Sequence, residues 1–164
     1  MSQVIEKPEG DSAGVVIPPP LFFVAAFGLG GLVDHFDPWL LASTFAGERW
    51  MRVAGGVVIA IALGLAFWAI AAFRRAGTTP IPIRPTTAVV FGGPYRFTRN
   101  PMYLGLTLAL AGVGLALDRG WIALAALPAA LAIDRYAIAR EERYLERKFG
   151  EPYLAYQRAV RRWL

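Results

Sequence analysis

Residues 102–139 read MYLGLTLALAGVGLALDRGWIALAALPAALAIDRYAIA, two apolar runs parted by Asp118-Arg119-Gly120. A helix needs roughly 20 apolar residues to cross about 30 Å of hydrocarbon. Met102–Leu117 and Trp121–Ala139 are therefore expected to be membrane spans, joined by a tight turn into an antiparallel hairpin. Working outward, Pro20–Val33 and Val53–Phe73 are of the same kind, whereas Pro38–Phe45 is too short to span and reads as an interfacial or re-entrant piece. With 164 residues, 56% of them hydrophobic, and a mean hydropathy of +0.45, the chain is too apolar for an ordinary soluble domain. The expected fold class is an all-α integral membrane protein with about four transmembrane helices and a C-terminal amphipathic helix.

Cysteine is absent, which excludes disulfides, thiolate nucleophiles and thiolate metal sites. The single histidine, His35, lies in Asp34-His35-Phe36-Asp37, where it reads as a solvated loop residue, so no metal site or histidine-dependent triad is expected. Gly28-Leu29-Gly30-Gly31 lacks a glycine at the next fingerprint position and any surrounding βαβ unit, so it reads as helix packing rather than dinucleotide binding.

Charge sets the expected orientation. The link between the second and third spans carries Arg74, Arg75, Arg84, Arg96 and Arg99 and no acid, and the tail after Ala139 adds Arg140, Arg143, Arg147, Lys148, Arg158, Arg161 and Arg162. Short cytoplasmic loops are the ones enriched in Lys and Arg, so both termini are expected on the cytoplasmic side of what reads as a bacterial inner membrane. The formal net charge of +5 is then positive-inside bias plus attraction to anionic headgroups, and no nucleic-acid-binding module accompanies it.

Three regions follow: residues 1–17 as a disordered tail, 18–73 as N-terminal transmembrane helices, and 74–164 as a region with two spans and an interfacial C-terminal helix. Arg74-Arg75-Ala76-Gly77 closes the second span as a basic last turn followed by glycine. Thr78–Pro94 holds four prolines and reads as an irregular link that must rest on protein or line a wet cavity. Pro101 suits the first turn of the third span, and Gly105 and Gly112 lie about two turns apart on one face, where they permit close helix contact. The fourth span runs on through Asp134-Arg135-Tyr136-Ala137-Ile138-Ala139-Arg140-Glu141-Glu142 at helical spacing, which places Asp134 and Glu141 on one face. Tyr95, Asn100 and Tyr103 crowd the mouth of the third span while Glu141 leaves the fourth at the same level, framing a pocket with one carboxylate.

GPYRFTRNPMYLG at residues 93–105, followed by EERYLERKFGEPYLAY at 141–156, resembles the isoprenylcysteine carboxyl methyltransferase and phospholipid methyltransferase superfamily of integral membrane enzymes. The resemblance covers roughly residues 74–163. It implies S-adenosylmethionine as methyl donor, with Tyr95, Asn100, Pro101, Met102 and Tyr103 lining the cofactor, Thr87, Ala88, Val89 and Val90 as the preceding strip, and Glu141 as the acidic contact. Arg96 or Arg99 would meet the donor's carboxylate. Asn100 stands where eukaryotic isoprenylcysteine enzymes have histidine, and Ala137 where they have an arginine for the substrate carboxylate. These departures weigh against a prenylcysteine substrate unless Arg135 or Arg140 substitutes.

The implied activity is methyl transfer to a lipid-borne or amphipathic acceptor bearing an amine, a carboxylate or a thiol. An amine must shed a proton, for which Asp134 and Glu142 are the candidate bases, and a carboxylate would favour Arg135 and Arg140 as neighbours. The alternatives are a non-catalytic scaffold or transporter subunit, or a related membrane reductase.

Overall fold

The computed structural model describes residues 12–36, 49–77 and 88–164. These form α1 (Pro20–Phe36), α2 (Arg49–Arg75), α3 (Pro101–Ala116), α4 (Gly120–Ile133), α5 (Ala139–Phe149) and α6 (Glu151–Ala159). A 3₁₀ turn (Gly93–Arg96) precedes α3, and a π turn (Asp134–Ile138) joins α4 to α5 without a break. Among the described residues there is no strand. The expected piece at Pro38–Phe45, the link residues 78–87 and the candidate Thr87 lie outside the described residues.

α2, with 27 residues, and the run Gly120–Phe149, with 30, are long and apolar enough to cross a membrane. α1 and α3 are apolar but hold 17 and 16 residues, which at 1.5 Å per residue reach about 26 and 24 Å. Length and composition thus support two spans where the sequence reading expects four. Leu21, Val24 and Leu29 on α1 and Val53, Ile61 and Phe67 on α2 are each more than half exposed, apolar faces compatible with lipid as the solvent. α1 continues three residues past Val33, which takes His35 into the last helical turn, where it is exposed. α2 ends as expected: Gly77, at φ +66°, donates to the Arg74 carbonyl at 3.2 Å.

Glycine sets the helix spacing. A Cβ on Gly55 would stand 2.4 Å from the Ala116 nitrogen, one on Gly112 3.0 Å from the Gly55 carbonyl oxygen, and one on Gly105 3.2 Å from the Ala62 carbonyl oxygen, so α2 and α3 touch backbone to backbone. A Cβ on Gly114 would stand 2.3 Å from the Ala123 nitrogen, which closes the expected α3–α4 hairpin. Gly30 does the same between α1 and α4, where its Cβ would meet the Ile122 Cα at 2.8 Å.

The π turn changes a register that the sequence implies. In uninterrupted α-helix Asp134 and Glu141 would share a face, but one extra residue accommodated over Asp134–Ile138 moves that face on by about one position. Asp134 and Glu142 are the pair that converges: Arg162 Nη1 donates to Asp134 Oδ2 at 3.1 Å, and its Nη2 donates to Glu142 Oε2 at 2.5 Å.

That arginine belongs to an extended C-terminal segment, residues 160–164, which folds back over the start of α3. The Arg99 N–H donates to the Arg161 carbonyl at 3.0 Å, while Thr98 Oγ1 and Asn100 Nδ2 donate to the Arg162 carbonyl at 3.1 and 3.0 Å. Trp163 Nε1 donates to Asp134 Oδ1 at 3.0 Å. At the other terminus, residues 12–17 belong to the expected disordered tail; here Ala13 and Val15 are buried, and the Ile17 N–H donates to the Tyr136 hydroxyl at 2.8 Å.

Two outcomes test this packing. Gly114→Ala should lower stability by about 1–3 kcal/mol because backbone must move, whereas Gly64→Ala, where nothing lies within 4 Å of the added carbon, should raise it by up to ~1 kcal/mol by removing glycine's helix penalty. Unfolding midpoints in detergent read both, and shifts of the same sign contradict the spacing argument. Arg162→Ala should cost about 2–3 kcal/mol, less than a fully buried pair because the side chain is 36% exposed. A midpoint equal to wild type would show that the C-terminal segment does not secure the helices.

Candidate active site

A cavity of about 380 Å³ opens between the 3₁₀ turn, the first turns of α3 and α5, α6 and the segment before α1. Three local features build it. Gly93, at φ +63°, lets the turn rest on α2, where a Cβ would approach Trp68 Nε1 at 3.1 Å. Pro101 starts α3 at a position whose N–H has no helical partner to lose. The π turn rotates α5 so that its consecutive acids Glu141 and Glu142, about 100° apart around a helix, meet different neighbours.

Glu141 is half-buried and accepts from the Tyr103 hydroxyl at 2.5 Å, across 38 residues of sequence. Glu142 is buried and shared by two guanidinium groups, Arg99 Nη2 at 3.2 Å from Oε1 and Arg162 Nη2 at 2.5 Å from Oε2. Among the described residues no cation forms an ion pair with Glu141. Among the described residues the cavity therefore presents one carboxylate engaged by a hydroxyl and no cation, beside one whose charge is already matched.

Aromatic rings supply much of the remaining wall. Tyr95 stands edge-on to Phe73 with centroids 5.4 Å apart, and its carbonyl accepts from the Tyr156 hydroxyl at 2.7 Å. Tyr153 and Tyr156, one helical turn apart on α6, close the far side with Tyr144. Burial is the main cause that pushes the Tyr95, Tyr153 and Tyr156 phenols above their ordinary range, so they face the cavity as neutral groups.

The expected cofactor residues Ala88, Val89, Val90, Tyr95, Asn100, Met102, Tyr103 and Glu141 all line this cavity. Pro101 is buried behind it at the start of α3. Of the expected catalytic residues, Glu142 lines the cavity, while Asp134 is turned into the C-terminal segment and held by Arg162 and Trp163. Arg135 is largely exposed, with its Nε 3.7 Å from Asp134 Oδ2. Arg140 lies with its guanidinium 4.3 Å from the Tyr136 ring centroid and donates to the Tyr136 carbonyl at 2.5 Å. Neither arginine lines the cavity; Arg99 does.

Sequence reasoning missed Phe73, Tyr144, Tyr153 and Tyr156 as wall residues, together with Ala13 and Pro18–Pro20. The i, i+3 spacing of Tyr153 and Tyr156 was a usable signal, since it puts both rings on one face of α6. The segment before α1 offers no periodic pattern to read.

Comparison with known proteins bears on this arrangement. An uncharacterized protein of Haemophilus influenzae is 46% identical over 63 residues, 38% of this chain and the whole of that protein. Residues 50–152 match the phospholipid methyltransferase family, from the first turn of α2 into α6, so the match reaches further toward the N-terminus than residue 74. The matched stretch carries Tyr95, Asn100, Tyr103, Glu141 and Glu142, and membership implies methyltransferase chemistry in general. The chain belongs to the phospholipid methyltransferase family.

Proposed function

We propose that the protein is an S-adenosylmethionine-dependent methyltransferase that acts at the cytoplasmic membrane face on an amine-bearing lipid or amphipathic acceptor. In this reading all four apolar helices are embedded, both termini are cytoplasmic, and the membrane is a bacterial inner membrane. The observation that carries the proposal is the Tyr103–Glu141 pair inside a largely aromatic cavity. A carboxylate that has no ion pair among the described residues, in a cavity lined by tyrosines, suits a positively charged sulfonium compound.

S-adenosylmethionine, when bound, supplies the electrophilic methyl group. Tyr95, Tyr103, Tyr153 and Tyr156 would flank it, and Glu141 would accept hydrogen bonds from its amino group or ribose hydroxyls. Arg99, which lines the cavity and pairs with Glu142, is the cation we assign to the donor's carboxylate. The chain's contribution is chiefly position: an aligned nucleophile and methyl group gain on the order of 7–11 kcal/mol over free encounter.

The cavity favours an amine over a carboxylate acceptor. Arg135 and Arg140, the expected partners of a carboxylate, do not line it, and Arg99, which does, is paired with Glu142. An ammonium headgroup must lose a proton before attack. Glu142 is committed to Arg99 and Arg162, and Asp134 to the C-terminal segment, which leaves Glu141 as the acceptor of that proton in our reading.

Titration of S-adenosylmethionine into detergent-purified protein tests the donor site. Glu141→Gln should weaken binding at least tenfold, about 1.4 kcal/mol, Tyr103→Phe by a smaller factor, and Arg135→Ala not at all. Equal affinity in wild type and Glu141→Gln would overturn the assignment. Lipid extracts incubated with methyl-labelled donor test the acceptor. The label should survive base treatment, as an N-methyl group does, and a base-released label would mean methyl ester formation and a carboxylate acceptor.

A further inference from the structure

The segment entering α1 has no part in the donor site described above, yet it forms one side of the same cavity. Ala13, Pro18, Pro19 and Pro20 line it there, together with Leu106 and Leu145. Three consecutive prolines fix their own φ near −65° and carry no N–H, so Pro18–Pro20 is stiff and offers no backbone donor. The polar groups, Glu141, Tyr103 and Arg99, belong to other walls. One cavity therefore has a polar part and an apolar part, built by different stretches of chain.

The apolar side is held in place by the π turn. Ala13 and Val15 are buried in the same cluster as Ala137 and Ile138, while Val16 is 82% exposed. The Ile17 N–H donates to the Tyr136 hydroxyl at 2.8 Å, and the Tyr136 ring packs on Phe22 with centroids 5.1 Å apart. The Arg140 guanidinium covers that ring at 4.3 Å. Among the described residues the Tyr136 hydroxyl is thus the side-chain group hydrogen-bonded to the backbone of this segment, and it stands five residues before Glu141 on the same continuous helix.

We propose that residues 13–20, latched through Tyr136, are the wall against which the acyl chain of the acceptor lies, and that Tyr136 is a positioning residue for acceptor chain length. The inference rests on the methyltransferase reading, since it takes the occupant to be the acceptor's own hydrocarbon chain. A cavity of about 380 Å³ is at the small end for ligand sites, so added methylenes must meet this wall early. For a short-chain acceptor taken up from water, each methylene that gains full contact should lower KM roughly fourfold, which corresponds to ~0.8 kcal/mol, until the wall is covered. Arg140 then serves by bracing the latch over Tyr136 rather than by meeting substrate.

The test uses the full chain in mixed micelles and a short-chain phosphatidylethanolamine carrying a diazirine at the end of one acyl chain. Photolysis should place crosslinks in residues 13–20 and at Leu145, reduced at least threefold in Tyr136→Phe, which keeps the ring and loses the hydroxyl. In parallel, with short-chain acceptors kept monomeric in water, the fall of KM with acyl length should flatten in Tyr136→Phe while S-adenosylmethionine affinity stays within twofold of wild type. Crosslinks confined to the outward faces of α2 and α3, or an unchanged chain-length slope with a uniform loss of rate, would overturn the proposal. Absence of donor binding in wild type would instead overturn the methyltransferase reading, and crosslinks at residues 13–20 would still establish the wall.

Discussion

The Arg162 guanidinium is the contact on which the other parts of the site depend. It bridges Asp134, the first residue of the π turn, and Glu142 on α5, and its own carbonyl accepts from Thr98 and Asn100 at the mouth of α3. One residue near the C-terminus therefore ties α4, α5 and the loop before α3 together. Taking these carboxylates out of water is costly unless they are paired and hydrogen-bonded, and Arg162 with Arg99 and Trp163 meets that demand. The Glu142 carboxylate in turn holds the Arg162 guanidinium above its ordinary protonation range. With Asp134 and Glu142 matched in this way, Glu141 is left, among the described residues, as the cavity carboxylate without an ion pair.

Adjacent acids with different surroundings follow from helix geometry. Glu141 and Glu142 point about 100° apart, one toward the Tyr103 hydroxyl and the other toward two arginines. A motif of two consecutive glutamates thus gives one group a structural task and leaves the other open to a ligand. The glycines play the complementary part in the apolar region. By letting α2, α3 and α4 approach at backbone contact, Gly55, Gly112 and Gly114 fix the level at which the mouth of α3 meets the start of α5.

Much of this was legible in the sequence because it is encoded locally. The α3–α4 hairpin follows from two apolar runs around Asp118-Arg119-Gly120, the α2 terminus from Arg74-Arg75-Ala76-Gly77, and the α3 start from Pro101. The strip Ala88–Val90 and the cluster Tyr95, Asn100, Met102, Tyr103 and Glu141 could be gathered from spacing together with the family resemblance. What was not legible lies in long-range contacts between segments without periodicity. Arg162 reaches Glu142 and Thr98 across 20 and 64 residues, and Ile17 reaches Tyr136 across 119. The π turn is hidden for a different reason, because Asp134–Ile138 has the composition of ordinary helix and its extra residue shows only in where the following side chains land. Span number is a third case: α1 and α3 have the composition of spans but rise only about 26 and 24 Å, short of a typical hydrocarbon core.

In the proposed function the walls around Glu141 bind the methyl donor. Ultraviolet crosslinking of labelled S-adenosylmethionine to the purified chain, followed by peptide mapping, tests it most directly. The account predicts saturable label in residues 93–106 and 141–156, displaced by S-adenosylhomocysteine. Label that does not saturate, or that falls on peptides of α1 and α2 alone, would contradict it.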